Sequence, residues 1–142
     1  MKIPDVNLLV YAFDERSQFH HQAKRWLSDL LSGSERIGFS WIVLLGFIRI
    51  STSRRILDQP MSPAEAFSIV EGWLLRQGVH VIHPTSDHFE IVRGLLEPLG
   101  IGGDITTDAH LAALAIEHGG EVCSADNDFA RFPTVRWSNP LA

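Results

Sequence analysis

The sequence predicts an α/β fold in which a short parallel sheet of about four to five strands is flanked by helices. Two observations carry this prediction. Short apolar runs of β type alternate with longer segments whose apolar residues recur at helical spacing, the pattern of strand–helix–strand units around a parallel sheet. The chain has 142 residues, 45% apolar and 20% charged, which suits one domain with a core of that size. Residues 1–142 are accordingly read as a single domain, with no internal repeat, low-complexity tract or linker.

Each element has a local reason. A strand begins at Ile3 and runs into a helix around Asp5, with Pro4 near the strand end because it offers no backbone donor. Ser17 to Leu31 reads as a helix through Phe19, Ala23, Trp26, Leu27, Leu30 and Leu31, and Gly33-Ser34 stops it. Ile37-Gly38-Phe39 is a buried strand. Trp41 to Ser51 is apolar all round, which predicts a deeply buried helix. Ser62 caps a helix with Pro63 in its first turn and Glu65 closing a capping box. That helix runs to about Arg76 with Phe67, Val70, Trp73 and Leu74 on one side, a core face or a surface for a second protein chain. Val79 to His83 is a strand and Ser86 to Leu96 a helix. Ile105 to His118 is a strong helix closed by Gly119-Gly120. Glu121 to Ser124 is a strand, Asp126 to Arg131 a short helix or turn, and Val135 to Trp137 a last strand, leaving Ser138 to Ala142 loosely held.

Composition narrows the function. One cysteine, Cys123, excludes an internal disulfide and suits a reducing compartment, where it reads as buried and inert. The longest uncharged apolar run, Trp41 to Ile48, is far short of the roughly 20 residues that span a bilayer. The N-terminus lacks the form of a signal peptide. The chain therefore reads as soluble and cytoplasmic. Its net charge of −5 opposes binding nucleic acid through phosphates alone. That opposition eases where carboxylates converge on a divalent cation, which reverses the local field.

The carboxylates fall at element ends. Asp5 follows the first strand, and Asp126 and Asp128 follow the strand that ends near Ser124. In an open parallel sheet that edge is where ligands bind. Asp104 and Asp108 are spaced i, i+4 at the start of a helix and share one of its faces. Such a gathering needs a cation, since mutual repulsion would otherwise raise the carboxyl pKa values. Oxygen donors without paired histidine or cysteine favour Mg²⁺ or Mn²⁺. A metal held there suits phosphodiester hydrolysis. The structural alternative is that Asp104 and Asp126 cap helices and Asp128 supports a turn.

Three segments carry a resemblance. Asp5-Val6-Asn7-Leu8-Leu9 resembles the opening Asp-x-Asn motif of PIN domains. Thr107 to Ala115, with Asp108, resembles their helix bearing the third acidic residue. Ser124-Ala125-Asp126-Asn127-Asp128-Phe129 resembles their closing Thr/Ser-x-Asp-x-Asp-Phe segment. Order, spacing and length are similar to VapC-type toxins of VapBC toxin–antitoxin pairs across essentially the whole chain. The resemblance implies a three-layer PIN-like fold, an Mg²⁺- or Mn²⁺-dependent endoribonuclease acting on RNA, a VapB-type antitoxin partner and a homodimer. It also implies Asp5, Asp108 and Asp126 as catalytic metal ligands, Asp128 as a further acid, and Asn7 and Ser124 as groups that orient carboxylates or water.

One position departs from the family. A Glu usually precedes an Arg by three residues in the helix after the second strand, and here Gly46 precedes Arg49. No acid occurs from Gly38 to Leu57. Asp104, one turn before Asp108, is the expected substitute. Gly46 also leaves open a PIN-fold protein that binds antitoxin or RNA without cutting it. A receiver-like phosphotransfer domain fits less well, because Lys2 and Lys24 are the only lysines and neither sits near a late strand end. His20-His21 and His110 read as packing or surface residues. Arg49, Arg54 and Arg55 read either as helix-end charges or as guides for RNA phosphate. The four tryptophans read as core.

Overall fold

A computed structural model describes residues 1–142. Five strands, β1 (Lys2–Pro4), β2 (Ile37–Ser40), β3 (Val79–Ile82), β4 (Glu121–Cys123) and β5 (Trp137–Ser138), form one sheet in the order β3-β2-β1-β4-β5. Every pairing is parallel. Six helices flank the sheet: α1 (Val6–Tyr11), α2 (His20–Ser32), α3 (Trp41–Ser51), α4 (Pro63–Leu74), α5 (His88–Leu96) and α6 (Ile105–His118). Two short 3₁₀ turns, Glu97–Leu99 and Asn127–Arg131, complete the chain. No helix is long and apolar enough to cross a membrane.

The topology locates a crevice. From β1 the chain moves outward to β2 and β3, then returns to place β4 on the other side of β1. The switch therefore lies between β1 and β4, where an open parallel sheet holds its ligands. The turn from α6 into β4 must pass very close to β1. Gly119 closes α6 in the left-handed region with φ 65°. At Gly120 a Cβ atom would lie 2.6 Å from Ile3 Cδ1 and 3.1 Å from Met1 O, so any side chain there would push β1 and β4 apart.

Ile3, Phe39 and Val122 are fully buried strand residues at the centre of the core, and burying each such side chain contributes about 1.5–3 kcal/mol. Trp73 of α4 stacks on Phe39 of β2 at 5.5 Å and tilts against Phe47 of α3 at 4.9 Å. These contacts fix α3 and α4 against the sheet. Cys123 is buried as expected, and burial pushes its thiol up to about 11.

The structure corrects several expectations. α3 is not buried all round: Val43, Leu44 and Phe47 face the core, while Trp41, Ile42 and Leu45 are 48%, 43% and 56% exposed. Its outer face is covered only in part, so the apolar composition did not report its burial, and Trp41 is not a core residue. The deeply buried helix is α6, where Ala109, Ala112, Ala113 and Ala115 allow close approach on several sides. On α4, Phe67 turns outward from Val70 and Trp73. Glu65 N donates to Ser62 Oγ at 3.2 Å as a capping box requires, but the Glu65 carboxylate accepts from the Ser62 hydroxyl rather than from the cap backbone. α2 starts at His20, because Ser17 makes a turn by accepting from Phe19 N. α5 starts at His88, after the turn at Thr85. The last strand is Trp137–Ser138, so Ser138 is held in the sheet, and its hydroxyl donates to Glu121 Oε1 at 2.6 Å.

Candidate active site

The backbone N–H of Asp5 donates to Cys123 O at 2.8 Å, continuing the β1–β4 pairing for one more residue. Asp5 then caps α1, its Oδ1 accepting from Val6 N at 2.7 Å. Its Oδ2 accepts from Ser124 Oγ at 2.7 Å and from Asn7 Nδ2 at 3.4 Å. Asn7 reaches across the crevice: its Nδ2 lies 3.2 Å from Ser124 Oγ, and its Oδ1 accepts from Ala125 N at 3.2 Å. Ser124 Oγ accepts from Asp126 N at 3.0 Å, and Asp126 Oδ1 accepts from Asp128 N at 2.9 Å. One chain of hydrogen bonds thus runs from the end of β1 to the turn after β4, and the buried Ser124 is its middle link.

Above this chain, α6 presents Asp108. Carboxylate oxygens of Asp108, Asp126 and Asp128 lie within 4.8 Å of one another. Asp5 stands outside that trio but shares with Asp108 a small cleft of about 40 Å³. Burial raises the Asp108 carboxyl to about 7, with repulsion from Asp126, Asp5, Asp128 and Asp104 adding in that order. Burial also raises Asp5, against the opposing hydrogen bonds from Ser124 and Val6, and Asp126 adds to the rise. Asp104 is exposed at the start of α6, makes no capping hydrogen bond and lies outside the trio. Capping and clustering coexist at Asp5 and Asp126, since each carboxylate accepts one backbone N–H and keeps further lone pairs free.

The α3 side of the site is apolar. Ile42 and Val43 wall the cleft with Val6 and Leu111. Gly46, one turn beyond Ile42, faces Val6: a Cβ there would lie 3.2 Å from Val6 Cγ2. The space toward Val6 is thus already tight for any side chain at position 46. Arg49, Arg54 and Arg55 are exposed at and beyond the far end of α3. His20 is a packing residue, with Nδ1 2.9 Å from Tyr11 O.

A second cluster went unread in the sequence. His110 Nδ1 lies 2.8 Å from His88 Nε2, and His88 Nδ1 lies 2.5 Å from Glu117 Oε2. Thr85 adds backbone and hydroxyl donors to Glu117 Oε1 at 2.7 and 2.6 Å. Burial pushes Glu117 up, but the bonds from Thr85 and His88 outweigh it and hold the carboxyl below its usual value. The available signal was the i, i+7 spacing of His110 and Glu117, which puts both on one face of α6.

The donors at the β1–β4 edge are all carboxylate oxygens, with an amide and a hydroxyl behind them. That set fits a hard divalent cation, and a cation would relieve the repulsion that raises Asp108.

Known proteins share this fold. The PIN domain matches residues 2–135. Ribonuclease VapC37 of Mycobacterium tuberculosis is 41% identical over 142 residues, covering 100% of this chain and 99% of the relative. Ribonuclease VapC33 of the same organism is 42% identical over 141 residues, covering 99% of each. Among solved structures, VapBC2 from Rickettsia felis bound to a promoter DNA fragment superposes with a TM-score of 0.70, at 20% identity over 97% of each chain. VapC20 of Mycobacterium tuberculosis, described as a sarcin–ricin loop cleaving toxin, gives a TM-score of 0.63 at 20% identity over 92% of this chain and 93% of that one. With a family match over nearly its whole length and full-length relatives above 40% identity, the chain belongs to the PIN-domain family, among its VapC-type members.

Proposed function

We propose that the chain is a metal-dependent endoribonuclease, the toxin half of a type II toxin–antitoxin pair, acting in the cytoplasm as one domain. The observation that carries this reading is the trio of carboxylates within 4.8 Å at the β1–β4 switch, in a chain 41% identical end to end to a named ribonuclease. Asp108, Asp126 and Asp128 would hold Mg²⁺ or Mn²⁺, with Asp5 beside them and Asp104 contributing charge from the rim. Such an ion, when bound, supplies Lewis acidity toward a phosphodiester and makes an acidic surface able to accept RNA.

The chain's own residues do the positioning. Ser124 donates to Asp5 Oδ2 and accepts from Asp126 N, so one hydroxyl sets the spacing of two acids. Asn7 locks the turn after β4 to the start of α1. Asp5 keeps its Oδ1 committed to Val6 N and offers its remaining lone pairs toward the cleft it shares with Asp108. Ile42 and Val43 keep that cleft apolar on the α3 side, which strengthens electrostatic interactions within it. Asp108, raised to about 7, is the group that releases a proton when a cation binds near neutral pH.

A VapB-type antitoxin and a second copy of the chain are the proposed protein partners. The exposed apolar side chains Trp41, Leu45, Phe67 and Leu75 support a protein-covered surface. The test is to incubate purified, antitoxin-free protein with structured RNAs in Mg²⁺, in Mn²⁺ and in EDTA, beside Asp5→Ala. Cleavage that needs metal and is lost in the variant is expected. A folded protein that binds no metal and cuts no RNA would replace this reading with that of a non-cleaving binding protein.

A further inference from the structure

Building on the nuclease reading above, we propose that Arg49 of α3, with Arg54 and Arg55 in the turn after it, holds backbone phosphates of the RNA strand where it leaves the acid cluster. Six of the twelve basic residues are already engaged. Lys2, Arg16, Arg93 and Arg131 stand in ion pairs. Arg76 and Arg136 donate to Leu31 O and Gly119 O, carbonyls at the ends of α2 and α6. The other six make neither kind of contact, and three of them are Arg49, Arg54 and Arg55. In a chain of net charge −5, the stretch from Gly38 to Leu57 thus carries three free cations and no acid.

Helix capping does not account for them. A cation that serves a helix end lies against the last carbonyls, as Arg76 and Arg136 do. At the end of α3 those carbonyls are taken by other donors. Ile48 O accepts from Thr52 N at 3.1 Å and from Thr52 Oγ1 at 2.7 Å, and Ile50 O accepts from Ser53 N at 3.1 Å. Met61 N donates to Ser51 O at 2.8 Å. Beyond them, Ile56 N and Leu57 N both donate to Ser53 O, closing one turn that leaves Arg54 and Arg55 exposed.

The spacing links these arginines to the acid cluster. Ile42 walls the metal cleft. Arg49 follows it by seven residues, so it shares the same face of α3 and lies about 10 Å further along. Gly46 falls between them on that stripe, with its backbone close against Val6 of α1. A strand leaving the cleft along α3 therefore crosses a low stretch without a side chain and then meets a guanidinium. An acid at position 46 would put negative charge on that path. The chemistry fits a phosphodiester, since a guanidinium grips phosphate oxygens in pairs. A bound cation reverses the field only at the cluster. Away from it, an acidic protein holds a polyanion through its own free cations.

The test is fluorescence anisotropy of a short single-stranded RNA in Mg²⁺, with NaCl varied from about 50 to 200 mM. An Asp126→Asn background keeps the RNA intact. Arg49→Ala should weaken binding about three- to tenfold and lower the slope of log K against log salt by about 0.7. Arg54→Ala and Arg55→Ala should each weaken it about two- to threefold. Arg49→Lys should restore the slope while leaving affinity short of the parent value. Arg25→Ala removes an exposed, unpaired cation from α2 and should change neither quantity. In single-substitution enzymes, Arg49→Ala should raise KM by about the same factor as it weakens binding and keep kcat within about twofold. An unchanged slope in Arg49→Ala, an equal effect of Arg25→Ala, or a fall in kcat at constant KM would overturn the track and leave metal-dependent cleavage standing. Tighter binding of a polyglutamate peptide than of RNA would overturn it in favour of an acidic protein. A slope change at Arg49 in a chain that cuts no RNA would instead keep the track and remove the nuclease reading.

Discussion

At the start of α6, Asp108 shares its surroundings with Asp126, Asp5, Asp128 and Asp104, and its carboxyl rises to about 7. Nine residues further along, Glu117 meets His88 and Thr85, and its carboxyl falls below its usual value. Both acids stand on one helix and both lose solvent. The first is surrounded by groups of its own sign and the second by donors. A protein that only needed α6 in place would build the second kind of cluster. The first kind costs stability by itself, and only a cation or a proton relieves it. The contrast therefore separates the group that serves a ligand from the group that serves the fold.

The largest expected effect comes from removing a carboxylate of the trio. Asp126→Asn should lower metal-dependent RNA cleavage by at least about 10³-fold, in line with charge stabilisation of several kcal/mol. Glu117→Gln should do the reverse. It should leave cleavage at 25 °C within about threefold of the parent while costing about 1–3 kcal/mol of stability, since His88 and Thr85 lose an ionised acceptor. Denaturant unfolding beside single-turnover cleavage checks the pair. If Glu117→Gln abolished cleavage without loss of stability, the division drawn above would collapse.

A smaller effect tests the sign. Asp108 has a folded pKa of about 7 against the ordinary carboxyl value of 3.8. Relative to a fixed neutral group, its penalty is absent below the lower value, grows between the two, and is complete above the higher one. In EDTA, Asp108→Asn should therefore stabilise the protein at pH 8, by about 1–2 kcal/mol once solvent screening of this half-exposed group is allowed for. That gain should vanish near pH 4, and thermal melts across this range would detect it. A gain that grew toward low pH would contradict the assignment. The smallest effect belongs to Asp104→Ala, which should weaken Mn²⁺ binding by no more than about threefold, as expected for a screened charge on the rim. A tenfold loss would instead make Asp104 the direct replacement for the acid absent at Gly46.

The element order was legible from alternation, and the placing of Asp5 and Asp126 at one sheet edge was legible from where the strands end, with Asp5 left outside the trio. The carboxylate trio was only partly legible. Asp128 joins Asp108 and Asp126 through a 3₁₀ turn capped by Asp126 itself, which leaves its side chain half exposed, and such a turn has no sequence period. The buried face of α3 could not be read, because apolar residues on all sides carry no direction, and Trp41 and Leu45 remain about half exposed. His88 escaped notice because its partner lies 29 residues away and their meeting depends on how α5 is laid against α6.

The bond between Ser124 and Asp5 spans 119 positions of the chain. A ribosome making this chain delivers Asp5 119 residues before Ser124, with Asp126 and Asp128 just after it. Until β4 has emerged and settled beside β1, no intermediate length of the nascent chain can assemble the acid edge. The centre of the proposed nuclease is thus absent from every shorter nascent chain and arises only once β4 has emerged.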